Sequence, residues 1–315
     1  MSAPRDRRAR CGRADAVRQG AGRGAVKPWA GGGPKVVVTG ATGAVGRHVA
    51  RRLGALGCAR SLVRDAQKAA RLGLSDGVVT GDYQDRARLD EVLAGADAVF
   101  VVTADPLRPQ HDENILAAAR AQGVRRAVKL SWTAVADPDA DDLIARWNRD
   151  SEALLRDSGL DWTVLRMRSP MSNTLSWAPS IRAESVVRSL GGDAATSCVD
   201  PRDVAEAAVR ALTEPCHGSR TYALTGPQAL TPREQTRLLS DVLRRPLHFE
   251  ELTAHQALAR WRERLPAPLA QALLDVAERR AAPAAEQGGG DLQALLGRET
   301  TTYRQWAVDH AANFA

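Results

Sequence analysis

Lys35-Val36-Val37-Val38-Thr39-Gly40-Ala41-Thr42-Gly43-Ala44-Val45-Gly46 carries a short β-branched apolar run directly into a glycine-rich turn. A run of this kind suits a strand buried on both faces of a parallel sheet. Val45, Val49, Leu53 and Leu56 then recur at helical spacing, so the turn joins a strand to a helix. Glycines at GxxGxxG spacing permit the tight turn and let the backbone approach a pyrophosphate. The helix N-terminus offers that anion unpaired N–H groups and a partial positive charge. The stretch therefore predicts the first βαβ unit of a dinucleotide-binding fold, with Gly40, Thr42, Gly43, Ala44, Val45 and Gly46 around the diphosphate.

Downstream the same rhythm repeats. Ala59–Val63, Val78–Thr80, Ala98–Val102, Ala127–Leu130 and Trp162–Leu165 read as strands. Asp65–Leu72, Asp85–Leu93, Asp112–Gln122 and Leu143–Ser158 read as the helices between them. This alternation predicts an α/β protein whose residues 34–168 form a Rossmann-type, doubly wound parallel sheet. Past Arg168 the rhythm breaks, and 169–315 is expected to be a smaller, mainly helical substrate or lid region that partly returns to the sheet. Within it, residues 169–196 lack a period. Asp203–Leu212 and Thr231–Leu243 read as helices, the second opened by a Thr231/Glu234 capping box. Thr221–Leu224 and Leu247–Leu252 read as strands, 254–280 and 300–313 as helices, and Pro283–Gly290 as a low-complexity loop.

Upstream, residues 1–33 carry +6 of the formal net charge of +7. A Gly/Arg-rich segment without apolar periodicity predicts a disordered basic tail. The remainder is nearly neutral, so a nucleic-acid partner is not expected. No apolar run approaches the roughly 18 residues of a membrane span, and no secretory signal pattern is present. The four cysteines are scattered without a CxxC, which suits a reducing, cytoplasmic setting. The six histidines show no HExxH or i, i+4 pairing, and no metal site is expected. Gly73-Leu74-Ser75-Asp76-Gly77 matches the hydrolase G-x-S-x-G pattern but runs helix-turn-strand, the wrong order for a nucleophile elbow.

The end of the second strand selects the cofactor. An acidic residue there holds the ribose of NAD, whereas arginine accommodates the 2′-phosphate of NADP. Leu62-Val63-Arg64-Asp65 places Arg64 at that point, with Arg60 and Arg47 nearby, so NADP(H) is preferred. NAD(H) remains possible, with Asp65 in the ribose role if the strand runs one residue further.

Thr39–Gly46, Leu62–Asp65, Gly81-Asp82, Val101-Val102-Thr103, Gly123 through Ser131 and Ser158 through Arg166 together resemble the atypical short-chain dehydrogenase/reductases, the NmrA-like subgroup in particular. The resemblance covers about residues 35–260. It implies that Asp82 lies near the adenine, that Thr103 lines the cofactor cleft and that Ser131 sits near the nicotinamide.

The chain departs from standard short-chain reductases at their proton donor. Those enzymes use Tyr-x-x-x-Lys. Here the three tyrosines are followed four positions on by Ala87, Gly226 and Ala307, and aligning on Glu152 puts Ile144 and Asn148 where the pair belongs. An ordinary ketone–alcohol interconversion is therefore not expected. Hydride transfer to a quinone, quinone methide, iminium or other conjugated small molecule remains open, since water can supply any proton. Ser131, His111, Ser169 and Asn173 are the candidate polar groups. Met167, Met171, Leu175 and Trp177 are candidates for an apolar pocket suited to an aromatic or conjugated substrate. The alternative reading is a non-catalytic NADP(H)-sensing regulator of NmrA-like type.

Overall fold

The computed structural model describes Val26, Trp29 and residues 32–281 and 290–315. The rest of the basic tail, with Cys11, and the Pro283–Gly290 loop up to residue 289 lie outside the described residues.

The order is β1 (Val36–Val38), α1 (Gly46–Ala55), β2 (Ala59–Val63), α2 (Ala66–Arg71), β3 (Val78–Thr80), α3 (Arg86–Leu93), β4 (Ala98–Val101), α4 (Gln110–Ala121), β5 (Arg126–Trp132), α5 (Leu143–Asp157) and β6 (Asp161–Met167). There follow α6 (Ala178–Glu184), β7 (Val186–Ser189), α7 (Pro201–Thr213), β8 (Arg220–Leu224), α8 (Pro232–Leu243), β9 (His248–Glu251), α9 (Ala254–Arg262), α10 (Ala267–Ala281), α11 (Asp291–Leu296) and α12 (Tyr303–Asp309). Seven strands form one sheet in the order β3-β2-β1-β4-β5-β6-β8, and every neighbouring pair is parallel.

Strand alternation decides how this sheet is covered. Val36, Val38, Ala98 and Phe100 face a core shared with α1, α7 and α11. Val37, Val99 and Val101, one residue out of step, face a second core shared with α3, α4 and α5. Both faces are covered, which is why β1 and β4 carry no polar residue. Aspartates cap the helices that return to the sheet: Asp65, Asp85, Asp142 and Asp200 each accept a first-turn backbone N–H.

The region after Arg168 differs from its reading in several places. The segment without a period folds into a 3₁₀ turn (Met171–Trp177), α6 and β7. These elements are too short to show a period. β7 pairs in parallel with β9, forming a separate two-stranded sheet. The expected single helix over 254–280 is two, α9 and α10, because Pro266 cannot continue a helix from the preceding turn. The expected helix over 300–313 is α12 and a short 3₁₀ turn (Ala311–Asn313). α11 was not anticipated. A third core, around Met171, Ile181, Leu239, Tyr303 and Trp306, holds this region together.

Candidate active site

The sheet's strand order reverses between β1 and β4, and ligands of such folds bind outside the carboxyl ends of the strands at that point. Thr39 ties the two strands there. Its hydroxyl accepts the Val102 N–H (2.7 Å) and donates to the Phe100 carbonyl (2.9 Å). The turn Gly40–Gly46 follows. Gly40 has φ +59°, and a Cβ on it would lie 2.8 Å from the Val102 side chain. A Cβ on Gly46 would lie 2.2 Å from the Gly40 carbonyl oxygen. Both positions therefore require glycine for this turn to close against β4.

The residue before α1 is Val45, which supplies no side-chain cap. The Arg47 and His48 N–H groups go to the Gly43 and Val45 carbonyls, while that of Gly46, at the start of α1, has no acceptor among the described residues. A diphosphate is a fitting acceptor for such a donor. Tyr83 supports the turn from below: its hydroxyl accepts the Gly40 N–H at 2.8 Å, and burial pushes its phenol above the ordinary tyrosine value.

β2 ends at Val63, so Arg64 stands exposed just past the strand. Asp65 is the N-cap of α2, its carboxylate accepting the Lys68 N–H at 2.9 Å. The strand does not run on to offer Asp65 for a ribose. Asp82 accepts the Gln84 N–H (2.8 Å) and closes the turn after β3. Arg60 does not join this group. It is buried, donates to the Val92 and Ala94 carbonyls and stacks on Trp29.

Beside the turn opens a cleft of about 1150 Å³. Its floor comes from the carboxyl ends of β4, β5 and β6, through Thr103, Ser131, Trp132 and Met167. Its wall is a face of α5, Ile144, Trp147 and Asn148, and its roof is α9 and α10, including Trp261 and Val276. Arg279 of α10 forms an ion pair with Asp142 at the start of α5, which fastens the roof to the wall.

The predicted site residues divide. Thr103, Ser131, Ser169 and Asn173 line the cleft, with Met167 and Trp177, while His111 is not among its lining residues. His111 is buried on α4 with its ring edge-on to Tyr83, centroids 5.4 Å apart. The Ser131 hydroxyl donates to Glu152 at 2.6 Å, and Glu152 also receives Arg166 and Arg156. Burial pushes the Glu152 carboxyl up, but the hydrogen bonds from Arg166, Ser131 and Arg156 outweigh it and hold it below the ordinary range. Ser131 therefore faces the cleft with its own proton already engaged by a carboxylate.

A second buried network lies under Thr103. Asp112, fully buried, accepts Thr103 (2.9 Å), Ser151 (2.9 Å) and Lys129 (2.8 Å). The Lys129 ammonium also faces the Trp147 ring at 5.6 Å. Sequence reading missed this pair, Tyr83 and the tryptophans Trp132, Trp147 and Trp261. One signal was present: Ile144, Trp147, Asn148, Ser151 and Glu152 share one face of α5 at i, i+3, i+4, i+7 and i+8, and polar residues on a buried face have partners.

A dinucleotide turn at the crossover, with an apolar cleft beside it, defines an NAD(P)H-dependent Rossmann protein. Residues 40–215 match the NAD(P)H-binding family model, and the chain belongs to that family. It is 51% identical to the (4-alkanoyl-5-oxo-2,5-dihydrofuran-3-yl)methyl phosphate reductase of Streptomyces griseus over 280 residues, 89% of this chain and 99% of that protein. It is 35% identical to the NAD(P)H azoreductase of Xenophilus azovorans, over 89% of this chain and 99% of that protein. The NADPH-dependent quinone oxidoreductase of Escherichia coli, solved with NADPH, superposes with a TM-score of 0.75 at 26% identity, covering 88% of this chain and 99% of that one. The chain is thus an NAD(P)H-binding reductase. Among the described residues no helix is long and apolar enough to cross a membrane.

Proposed function

We propose that the chain uses NADPH to reduce an electron-poor carbon–carbon double bond in a small conjugated molecule, an acyl-butenolide bearing a methyl phosphate. The observation that carries this reading is what stands at the proton-donor positions of the cleft. Ile144 and Asn148 line it there, and the hydroxyl of Ser131 is committed to Glu152. Such a cleft suits an acceptor whose product anion is already stable. The dihydronicotinamide, when bound, supplies a hydride. Its arrival at the ring carbon bearing the methyl phosphate moves the alkene electron pair onto the neighbouring carbon. That carbon lies between the lactone and alkanoyl carbonyls, so the charge spreads over both oxygens. Water then protonates the carbon, and no strong acid is required of the protein.

The residues have distinct tasks in this scheme. The first turn of α1 with Gly40–Gly46 holds the diphosphate, and Arg64 takes the 2′-phosphate that selects NADPH over NADH. Thr103, held by Asp112, fixes the cofactor side of the cleft. Ser131 positions the floor through Glu152. Asn148 and Asn173 each spend one amide N–H within the protein, on the Ile144 carbonyl and the Ser169 hydroxyl. Their second N–H groups are suited to the carbonyl oxygens on which charge develops. His111 has no part, being packed on Tyr83.

A non-catalytic NADP(H) sensor is the weaker reading, because it gives no reason for a cleft of about 1150 Å³ beside the cofactor turn. The test is NADPH consumption with an acyl-butenolide phosphate, against a saturated ketone of similar size. Turnover of the first alone is expected. Tight NADPH binding with no consumption by any conjugated acceptor would overturn the reading and favour the sensor.

A further inference from the structure

We infer that Arg260 and Arg264, at the rim of the cleft, form a subsite for the phosphate monoester of the substrate; this rests on the reductase reading above and assigns its anionic end to particular side chains. The charged residues lining the cleft are Arg168, Arg188, Arg260, Arg264 and Glu263. Arg188 is compensated by ion pairs to Glu184 and Glu250. Arg168 donates to the Thr196 hydroxyl at 3.2 Å and belongs to the interior wall. The Arg260 and Arg264 side chains are exposed and make no hydrogen bond or ion pair among the described residues; Arg260 has only the longer-range attraction of Glu184, a carboxylate already paired with Arg188. Arg260 lies in the last turn of α9 and Arg264 in the turn two residues past its end, and both line the cleft.

Two guanidinium forks without a hydrogen-bonded protein acceptor, both lining one cleft, offer the paired N–H donors that a phosphate dianion takes. The remainder of the cleft is complementary to the other end of such a molecule. Trp147, Trp177 and Trp261 line it and give an alkanoyl chain an apolar surface. Glu263 lies between the two arginines and lowers their combined charge, so both guanidinium groups are needed to hold a dianion.

The test compares wild type with the Arg260→Gln/Arg264→Gln variant on two substrates, the acyl-butenolide phosphate and its unphosphorylated hydroxymethyl analogue. Melting temperature and NADPH affinity serve as controls for the fold. The ratio of kcat/KM, phosphate over alcohol, is expected to fall roughly 10- to 100-fold, the loss of one or two charge-assisted contacts at an exposed site. An unchanged ratio overturns the subsite, including the case in which both substrates slow equally because the arginines only support the end of α9.

Octyl phosphate binding to the NADPH-loaded protein, followed by tryptophan fluorescence, separates this proposal from the functional one. If wild type reduces neither butenolide yet binds octyl phosphate through the two arginines, the reductase substrate is wrong and the anion subsite stands. If octyl phosphate binds wild type and variant alike, or neither, the subsite is wrong whatever the enzyme reduces.

Discussion

Gly46→Ala should cost most of the cofactor affinity while leaving a folded protein. The added Cβ would lie 2.2 Å from the Gly40 carbonyl oxygen and 2.8 Å from its carbon. A carbon–oxygen contact needs roughly 3.3 Å, so the turn must retreat by about 1 Å. Both atoms are backbone, and no side-chain rotation relieves the clash. A retreat of that size takes one or two N–H groups out of reach of the diphosphate. Each charge-assisted bond is worth about 1.5–3 kcal/mol, so the loss is about 1.5–6 kcal/mol, or roughly 10- to 25,000-fold in Kd. Calorimetric titration with NADPH measures it. Gly54→Ala is the matched control on the same helix. It meets nothing within 4 Å, and should raise stability by about 0.5–1 kcal/mol without changing Kd. If Gly46→Ala bound NADPH within about threefold of wild type, the diphosphate would not rest on this turn.

Three further outcomes follow from the same geometry. Lys129→Met leaves the buried Asp112 without its cationic partner, and should lose about 3–5 kcal/mol in urea unfolding; Lys129→Met/Asp112→Leu should lose less than the single variant. Burial first, then Arg47 and Arg51, holds His48 down to about 4 from 6.5. A histidine kept neutral by the fold contributes stability that is whole above 6.5 and is lost as pH falls towards about 4. His48→Gln should flatten the urea midpoint across that window. Arg64→Ala should weaken NADPH roughly tenfold and leave NADH nearly unchanged, as the ratio of the two Kd values will report.

The sheet was readable because both its faces are covered: β1 and β4 are wholly apolar runs that local sequence displays directly. The glycine turn was readable for a similar reason, since the close approach of Gly46 to Gly40 leaves no other residue type. The cleft was harder to see. β7 and β9 pair across about sixty residues, and no local pattern announces such a partner. Trp132, Trp147 and Trp261 come from a strand end, a helix wall and the roof, and only the fold brings them together. His111 sat at a plausible sequence distance from Thr103, but the turn of α4 directs it at Tyr83 while its neighbour Asp112 faces Thr103. Ser131 lines the cleft, yet the partner that engages its proton, Glu152, lies 21 positions away.

Hydride transfer into the cleft is best followed by isotope. With NADPH deuterated at the transferring C4 position and an acyl-butenolide phosphate in ordinary water, NMR of the product should show deuterium on the ring carbon bearing the methyl phosphate. The carbon between the two carbonyls should carry solvent hydrogen, and the labels should exchange places with unlabelled NADPH in D₂O. A reduced product with no deuterium from the cofactor, or with cofactor deuterium on a carbonyl carbon, would contradict the account.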